Sequence, residues 1–466
     1  MNEKEDNYAL EYVKGLMIRA RDAQKIAESF SQEQVNELST AIAWSCAKDK
    51  NAKILAELAY NETNLGDYDS KYKKIKKKIR GVQRDIKNMK TVGVIEEDTE
   101  KGIIKIAKPV GIIGALIPCT NPEVTPVIKS MNAIKGRNAV VFSPHPRSKN
   151  TTLYTVEIMR QVLKKHNAPE DLLICSENPS KETSNEIMKQ CDLVIATGGS
   201  PMVRAAYSSG TPAYGVGVGN AVVVIDETAD IEDAAHKIML SKIFDLSSGC
   251  SCENSLVINE SVYDKVLGLL MKEGGYLLNE AEKEQLQKVM WIDNNLSKEI
   301  IAQPAAKIGQ AASLNLPEGC KFLLIEETGI GKDYPFSGEK LSVVLTLYKY
   351  KNFNDAINKV NEIQKYQGAG HSCGIHSFNE DNIMNLSLNT KTSRVMVRQP
   401  QVYGNSGDWC NGMPFTVSLG CGSWGRNITS ENISMKHYIN TTWVSFPTKE
   451  KIPDDEELFG KIIYED

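Results

Sequence analysis

Val110-Gly111-Ile112-Ile113-Gly114-Ala115-Leu116-Ile117 is a short, wholly apolar run, and the sequence around it decides the fold class. A helix-patterned stretch, Val124–Lys135, follows it, and a second apolar run, Ala139-Val140-Val141-Phe142, follows that. Apolar runs rich in β-branched residues, separated by helical segments, form βαβ units whose parallel strands are covered on both faces. Outward along the chain the alternation continues: helix over Leu153–Lys165, strand over Leu172–Cys175, helix over Glu182–Lys189, strand over Leu193–Ala196. Met202–Ser208 then reads as helix and Ala221–Ile225 as strand. The class is α/β.

On the N-terminal side, residues 8–90 read as helical. Leu10, Val13, Leu16, Met17, Ala20, Ala23 and Ile26 recur at helical spacing. Ser31 with Gln34 is a capping box opening a second helix that carries Val35, Leu38, Ile42 and Cys46. A third stripe runs through Tyr68, Tyr72, Ile75, Ile79, Val82 and Ile86. The basic run Lys71–Arg80 on the same helix reads as a solvated face, with attraction of an anionic cofactor as the lesser alternative. Val92–Glu96 and Gly102–Ala107 flank a polar turn and predict a hairpin. A second α/β stretch covers about 230–425, with helices over Ile231–Phe244 and Val262–Lys272, strands over Ser255–Ile258 and Val343–Tyr348, and a β-rich tail at His437–Val444.

Composition narrows the function classes. The chain has 466 residues, enough for two or three domains, with 55 Lys plus Arg against 59 Asp plus Glu. A net charge of −4 argues against a dedicated nucleic-acid binder. The longest apolar stretch, Val110–Cys119, is far short of the roughly 18 residues a bilayer span needs. The charged start Met1-Asn2-Glu3-Lys4-Glu5-Asp6 is no secretory signal, so a cytoplasmic protein is expected, and its ten cysteines should stay reduced. Six histidines and no paired Cys-x-x-Cys motifs predict no metal site.

Four segments could carry chemistry. Thr197-Gly198-Gly199-Ser200 joins a strand to a helix N-terminus, an arrangement that holds phosphates. Tyr214-Gly215-Val216-Gly217-Val218-Gly219-Asn220 reads as a crossing loop or as a place where a planar ligand approaches the backbone. Phe244–Asn254 holds Cys250 and Cys252 behind small residues, and the residues alone do not separate the two cysteines. Pro118-Cys119-Thr120-Asn121-Pro122 ends an apolar strand with an amide able to donate to a developing oxyanion.

Together with Lys108–Pro122, Ala133–Ala139, Phe142–Lys149, Ala213–Asn220, Glu339–Ser342, Gly368–His371 and Gly420–Gly425, these segments resemble the aldehyde dehydrogenase superfamily. The resemblance is to its CoA-acylating branch, which includes succinate-semialdehyde, sulfoacetaldehyde and acetaldehyde dehydrogenases. It implies a Rossmann-like nucleotide-binding domain (1–228), an α/β catalytic domain (229–425), and a C-terminal arm (426–466) that joins the 92–107 hairpin in a small β oligomerisation module. A homodimer or a dimer of dimers is implied by analogy.

By that resemblance Cys250 is the nucleophile and Asn121 the oxyanion donor. Ser143, Pro144, His145, Thr197, Gly198, Gly199, Ser200, Gly217 and Glu339 match cofactor-binding positions, for NAD or NADP, with coenzyme A as co-substrate. Hydrolytic relatives carry a Glu-Leu-Gly-Gly segment whose carboxylate activates water. The matching stretch here, Gly215–Asn220, has none, which favours a thiol acceptor. The implied reaction interconverts a short, anionic aldehyde (sulfoacetaldehyde or succinate semialdehyde), CoA and NAD(P)+ with acyl-CoA and NAD(P)H. Arg394, Arg398 and Arg426 are the candidates to hold the substrate anion. The alternatives are an acetaldehyde or propionaldehyde enzyme, a hydrolytic dehydrogenase, and a catalytically silent assembly protein.

Overall fold

The computed structural model describes residues 3–465. Four helices open the chain: α1 (Glu3–Ala27), α2 (Gln32–Ala47), α3 (Asp49–Thr63) and α4 (Tyr68–Ile86). The capping box that starts α2 is formed, with the Ser31 hydroxyl accepting the Gln34 N–H and the Gln34 side chain accepting the Ser31 N–H. Helix α3 lies inside the stretch expected to be helical, although no stripe of its own marks it in the sequence. Ile75, Ile79, Val82 and Ile86 bury the expected stripe of α4. The basic run departs from expectation: Lys71, Lys74 and Lys78 are buried too, and only part of the run, such as Lys73 and Arg80, faces solvent. The reason lies in carboxylates supplied from elsewhere in the chain, described below.

Strands β1 (Gly93–Asp98) and β2 (Ile103–Pro109) form the predicted hairpin. The alternating region then supplies β3 (Ile112–Ile117), α5 (Thr125–Lys135), β4 (Ala139–Pro144), α6 (Lys149–Lys165), β5 (Leu173–Cys175) and α7 (Lys181–Gln190). It ends with β6 (Leu193–Thr197), α8 (Ser200–Tyr207) and β7 (Ala213–Val216). These strands make one parallel sheet in the order β5-β4-β3-β6-β7. Strand β7 is an addition to the expected strands: Ala213–Val216 pairs with Val194–Thr197 at the sheet edge, and the glycine segment beyond it, 217–220, is the loop.

The second sheet begins with β8 (Ala221–Ile225), then, after α9 (Ile231–Ile243), β9 (Glu253–Asn259). It continues with β10 (Gly275–Leu277), a two-stranded hairpin β11–β12 (Trp291–Ile292, Asn295–Leu296) outside the sheet, β13 (Phe322–Glu326), β14 (Val344–Tyr350), β15 (Cys373–His376) and β16 (Val395–Val397). The order is β10-β13-β14-β9-β8-β15-β16, again parallel. Since β8 belongs here, the changeover between sheets falls between Val216 and Ala221, ahead of the expected boundary at 228. The chain also returns to its starting layer: Phe415, Ile433, Met435 and Tyr438 are buried in the core around the first sheet, so neither 229–425 nor 426–466 stands as a separate packing unit. The last strand, β17 (Ile439–Ser445), pairs antiparallel with β2 and completes a small third sheet. No helix among the described residues is long and apolar enough to cross a membrane.

Candidate active site

In a doubly wound parallel sheet, ligands collect beyond the carboxyl ends of the strands, where the connections diverge. In the first sheet that place lies beside β3, whose neighbours β4 and β6 lie on opposite sides. The segments leaving β3 (Ile117–Asn121), β4 (His145), β6 (Thr197–Gly199) and β7 (Val216–Val218) all line one cavity of about 350 Å³. The opposite wall comes from the loop before β9, Phe244–Ser251, with Glu339, Val402 and Ser406.

The loop carrying Cys250 has an unusual backbone. Asp245, Leu246 and Ser247 are consecutive non-glycine residues with φ of 48°, 50° and 58°. Each left-handed L-residue costs roughly 1–2 kcal/mol, so the loop persists only because contacts elsewhere determine it. The Asp245 carboxylate makes those contacts: it accepts from Lys74 Nζ (2.6 Å), Lys71 Nζ (3.4 Å), Ser248 Oγ (2.6 Å) and the Asp67 N–H (3.1 Å). Asp245 is buried. Burial alone would raise its pKa, but Lys74 and Lys71 outweigh that and hold the carboxyl below its ordinary range. Lys74 is likewise subject to burial, which Asp245 and Glu123 more than offset, so it stays above its usual value. Two cations and two carboxylates, Lys71, Lys74, Asp245 and Glu123, therefore form a buried, charge-balanced cluster under the loop.

That cluster reaches Asn121. Lys74 Nζ donates to Asn121 Oδ1 at 2.5 Å, and Nδ2 donates one hydrogen to Thr120 Oγ1 at 3.2 Å, leaving its second hydrogen free. Cys250 lines the same cavity, whereas Cys252 is buried and does not. This separates the two cysteines. Gly219 presses against the nucleophile loop so closely that a Cβ would lie 1.9 Å from the Cys250 carbonyl oxygen.

His371, the last residue of the Gly368–His371 segment, carries no signal of a role in the sequence, yet its Nε2 lies 3.2 Å from Cys250 Sγ. Its Nδ1 lies 2.8 Å from Ser372 Oγ, and its carbonyl accepts from Arg394 at 2.7 Å. Burial pushes the Cys250 thiol up to about 12, and burial together with Arg394 pulls His371 down to about 3. The resting pair is therefore an uncharged thiol and an uncharged imidazole.

Of the expected cofactor positions, His145, Thr197, Gly198, Gly199, Gly217 and Glu339 line the cavity. Ser143 lies behind it, bonded to Ser184 Oγ at 2.8 Å; Pro144 ends β4, and Ser200 opens α8. A Cβ on Gly217 would meet nothing within 4 Å, and one on Gly199 only Pro201, so the backbone at both positions is open to a ligand. Glu339 accepts the Gly219 N–H at 3.0 Å, and burial raises its carboxyl to about 8. These features fit a nicotinamide nucleotide, with the α8 N-terminus available to its pyrophosphate.

The three arginines are placed otherwise. Arg394 is buried and donates to the carbonyls of His371, Gly420 (2.6 Å) and Ser430 (3.1 Å). Arg398 donates to the Ser377 carbonyl at 2.6 Å and stacks over Phe378. Arg426 caps a short turn with φ of 57°. None of them lines the cavity, because backbone carbonyls or turn geometry fix each elsewhere; its cationic side chains are Lys74 and Lys78.

A cysteine thiol, an asparagine amide and the glycine-rich ends of two strands thus line one cavity at the switch point of the first sheet. Residues 8–280 match the model of the aldehyde dehydrogenase family. A sulfoacetaldehyde dehydrogenase from Acholeplasma sp is 47% identical over 98% of this chain and 94% of its own length. A succinate-semialdehyde dehydrogenase (acetylating) from Clostridium kluyveri is 39% identical over 96% of this chain and 99% of its own. An acetylating aldehyde dehydrogenase from Geobacillus thermoglucosidasius superposes with a TM-score of 0.93 at 36% identity, over 96% of this chain and 99% of that one. The chain belongs to the aldehyde dehydrogenase family and, within it, to the acylating branch of NAD(P)-dependent oxidoreductases.

Proposed function

We propose that the protein interconverts a short anionic aldehyde, CoA and NAD(P)+ with the acyl-CoA and NAD(P)H through a thioester on Cys250, with sulfoacetaldehyde first and succinate semialdehyde second among substrates. One observation carries this: Cys250 and Asn121 share a cavity whose glycine wall, at Gly217, offers water no activating carboxylate.

The chain's own groups divide the work. Cys250 Sγ attacks the aldehyde carbon, and its proton passes to His371 Nε2 only as the S–C bond forms, since burial disfavours both the free thiolate and the imidazolium. The carbonyl oxygen gains the negative charge and meets Asn121 Nδ2, whose direction Lys74 fixes, with the Cys250 N–H as second donor. Bound nicotinamide nucleotide supplies the hydride acceptor, and CoA the thiol that takes the acyl group. Two carboxyls line the cavity: Asp245 is held by Lys71, Lys74 and Ser248, and burial keeps Glu339 largely protonated at neutral pH, so neither is a ready base for water. The homo-oligomer we propose forms through the three-stranded sheet, whose Val94, Trp443 and Phe446 are exposed apolar groups. We place it in the cytoplasm.

The test is NAD(P)H oxidation by purified protein with sulfoacetyl-CoA, succinyl-CoA, acetyl-CoA and propionyl-CoA. Turnover with an anionic thioester, abolished in Cys250→Ala, is the expected result. Turnover with acetyl- or propionyl-CoA alone would select the neutral-aldehyde reading. Acid release without CoA would select a hydrolytic enzyme, and no turnover a silent assembly protein.

A further inference from the structure

We infer that Lys78 is the anion subsite of the cavity, receiving the terminal sulfonate or carboxylate of a short aldehyde. The inference rests on the proposal that this cavity turns over such an aldehyde, and it assigns the residue that selects for the charge.

Lys71, Lys74 and Lys78 fall three and four residues apart on one face of α4, and all three are buried. Their surroundings differ. Lys71 and Lys74 sit among Asp245 and Glu123, so their charge is balanced. Lys78 donates only to neutral oxygens: the Ser406 carbonyl (2.9 Å), the Ser406 hydroxyl and the Gly407 carbonyl (3.3 Å). Among the described residues no carboxylate lies within ion-pair distance of it; the nearby Asp408 is paired with Lys77 at 2.8 Å. A buried cation without a counter-charge is costly. Burial and the neighbouring Lys77 and Lys74 pull Lys78 down to about 7, and Asp408 offsets only part of that. An anion entering the cavity supplies the missing charge and restores the ammonium.

The position matches a short substrate. Lys74 touches Asn121, which marks the aldehyde oxygen, and Lys78 lies one turn further on, about 6 Å along the helix axis. A separation of that order matches a short spacer between carbonyl and anion, one carbon in sulfoacetaldehyde and two in succinate semialdehyde. Phe244, Val402, Val417 and Leu419 give the cavity apolar wall as well, and among the described residues no arginine lines it.

Alkylation of Cys250 by iodoacetamide, followed by mass spectrometry of its peptide, reads the subsite without turnover. Ethanesulfonate and butyrate serve as the sulfonate and carboxylate probes, and 1-propanol as the uncharged control. We expect at least one anion to slow alkylation fivefold or more in the native protein and in Lys78→Arg, but not in Lys78→Met or Lys78→Gln. Which anion protects identifies the headgroup. Equal protection in Lys78→Met, or none by either anion in the native protein, overturns the assignment. In steady state with CoA, KM for the anionic aldehyde should rise at least tenfold more in Lys78→Met than KM for propionaldehyde; equal rises overturn it. Native protein that turns over propionaldehyde but neither anionic aldehyde leaves the acylating activity standing and overturns the subsite. Native protein that turns over no aldehyde sinks the functional proposal, and the alkylation result alone then decides the subsite.

Discussion

Lys74 Nζ lies 2.5 Å from Asn121 Oδ1, so the amide oxygen is tied to an ammonium and only the amide nitrogen is free to face a reacting carbonyl. An untethered Asn can present either end. The same Nζ holds Asp245 at 2.6 Å, and Asp245 anchors the left-handed turn ahead of Cys250. One helix residue thus fixes the Asn121 amide and the Cys250 loop together.

Replacing Lys74 by Met should therefore damage both stability and rate. Removing one partner of a buried ion cluster leaves Asp245 and Glu123 short of charge, typically a loss of about 3–5 kcal/mol. Chemical denaturation measures that loss. Where the variant stays folded, kcat should fall by about tenfold or more as Asn121 loses its fixed direction. An unchanged kcat would show that Asn121 is oriented by other contacts.

Asn121→Ala tests the donor directly. Loss of one oxyanion donor typically reduces kcat about 10²–10³-fold. Asn121 itself holds no buried charge, so its removal should disturb stability less than Lys74→Met does. Comparing kcat with the unfolding midpoint for the two variants separates orientation from stability. If Asn121→Ala loses less than about threefold in kcat, the backbone N–H of Cys250 is sufficient alone.

The Cys250–His371 pair makes a claim about pH. With the thiol pushed up to about 12, the thiolate is the minor form throughout the working range. Alkylation of Cys250 in the ligand-free protein should then climb about tenfold per pH unit from 7 to 10, without levelling off. A thiolate–imidazolium ion pair would instead give a plateau near neutrality. His371→Ala should leave the steepness of the climb and lower the rate of acyl-enzyme formation, measured as single-turnover NAD(P)H release from aldehyde without CoA, because Nε2 no longer receives the Cys250 thiol proton.

Much of the scaffold was readable because the buried parallel strands are continuous apolar runs: Ile112–Ile117, Ala139–Phe142 and Ala221–Ile225 are buried throughout. Strand β7 escaped because glycine interrupts it, and α3 because its polar positions mask the buried Ala52, Leu55, Ala56 and Ala59. Cys250 and Asn121 came from family resemblance. The lysines of α4 could not, since a basic run looks the same in sequence whether solvated or neutralised. What neutralises it, Glu123 and Asp245, lies far along the chain. The arginines misled for the complementary reason: nothing local shows that Arg394 ties together carbonyls from His371, Gly420 and Ser430.

Gly217 and Gly219 sit two residues apart on the wall beside Cys250, yet they should respond oppositely to substitution. A Cβ at 217 meets nothing within 4 Å, and the backbone there is not left-handed, so a side chain can be added. A Cβ at 219 would collide with the Cys250 carbonyl at 1.9 Å, and backbone cannot yield as a flexible side chain does. Gly219→Ala should therefore lose activity outright. Gly217→Glu places a carboxylate on the open wall beside the thioester. Since burial already keeps Glu339 largely protonated at neutral pH, the new carboxylate meets little like-charge repulsion from it. Incubated with aldehyde and NAD(P)+ but no CoA, Gly217→Glu should release the carboxylic acid at least about tenfold faster than the native protein, the low end of what a positioned base contributes. Chromatographic assay of the acid decides it. Formation of acyl-CoA as before, with no gain in acid, would mean that water is kept from the thioester by the cavity's shape and not by the missing base.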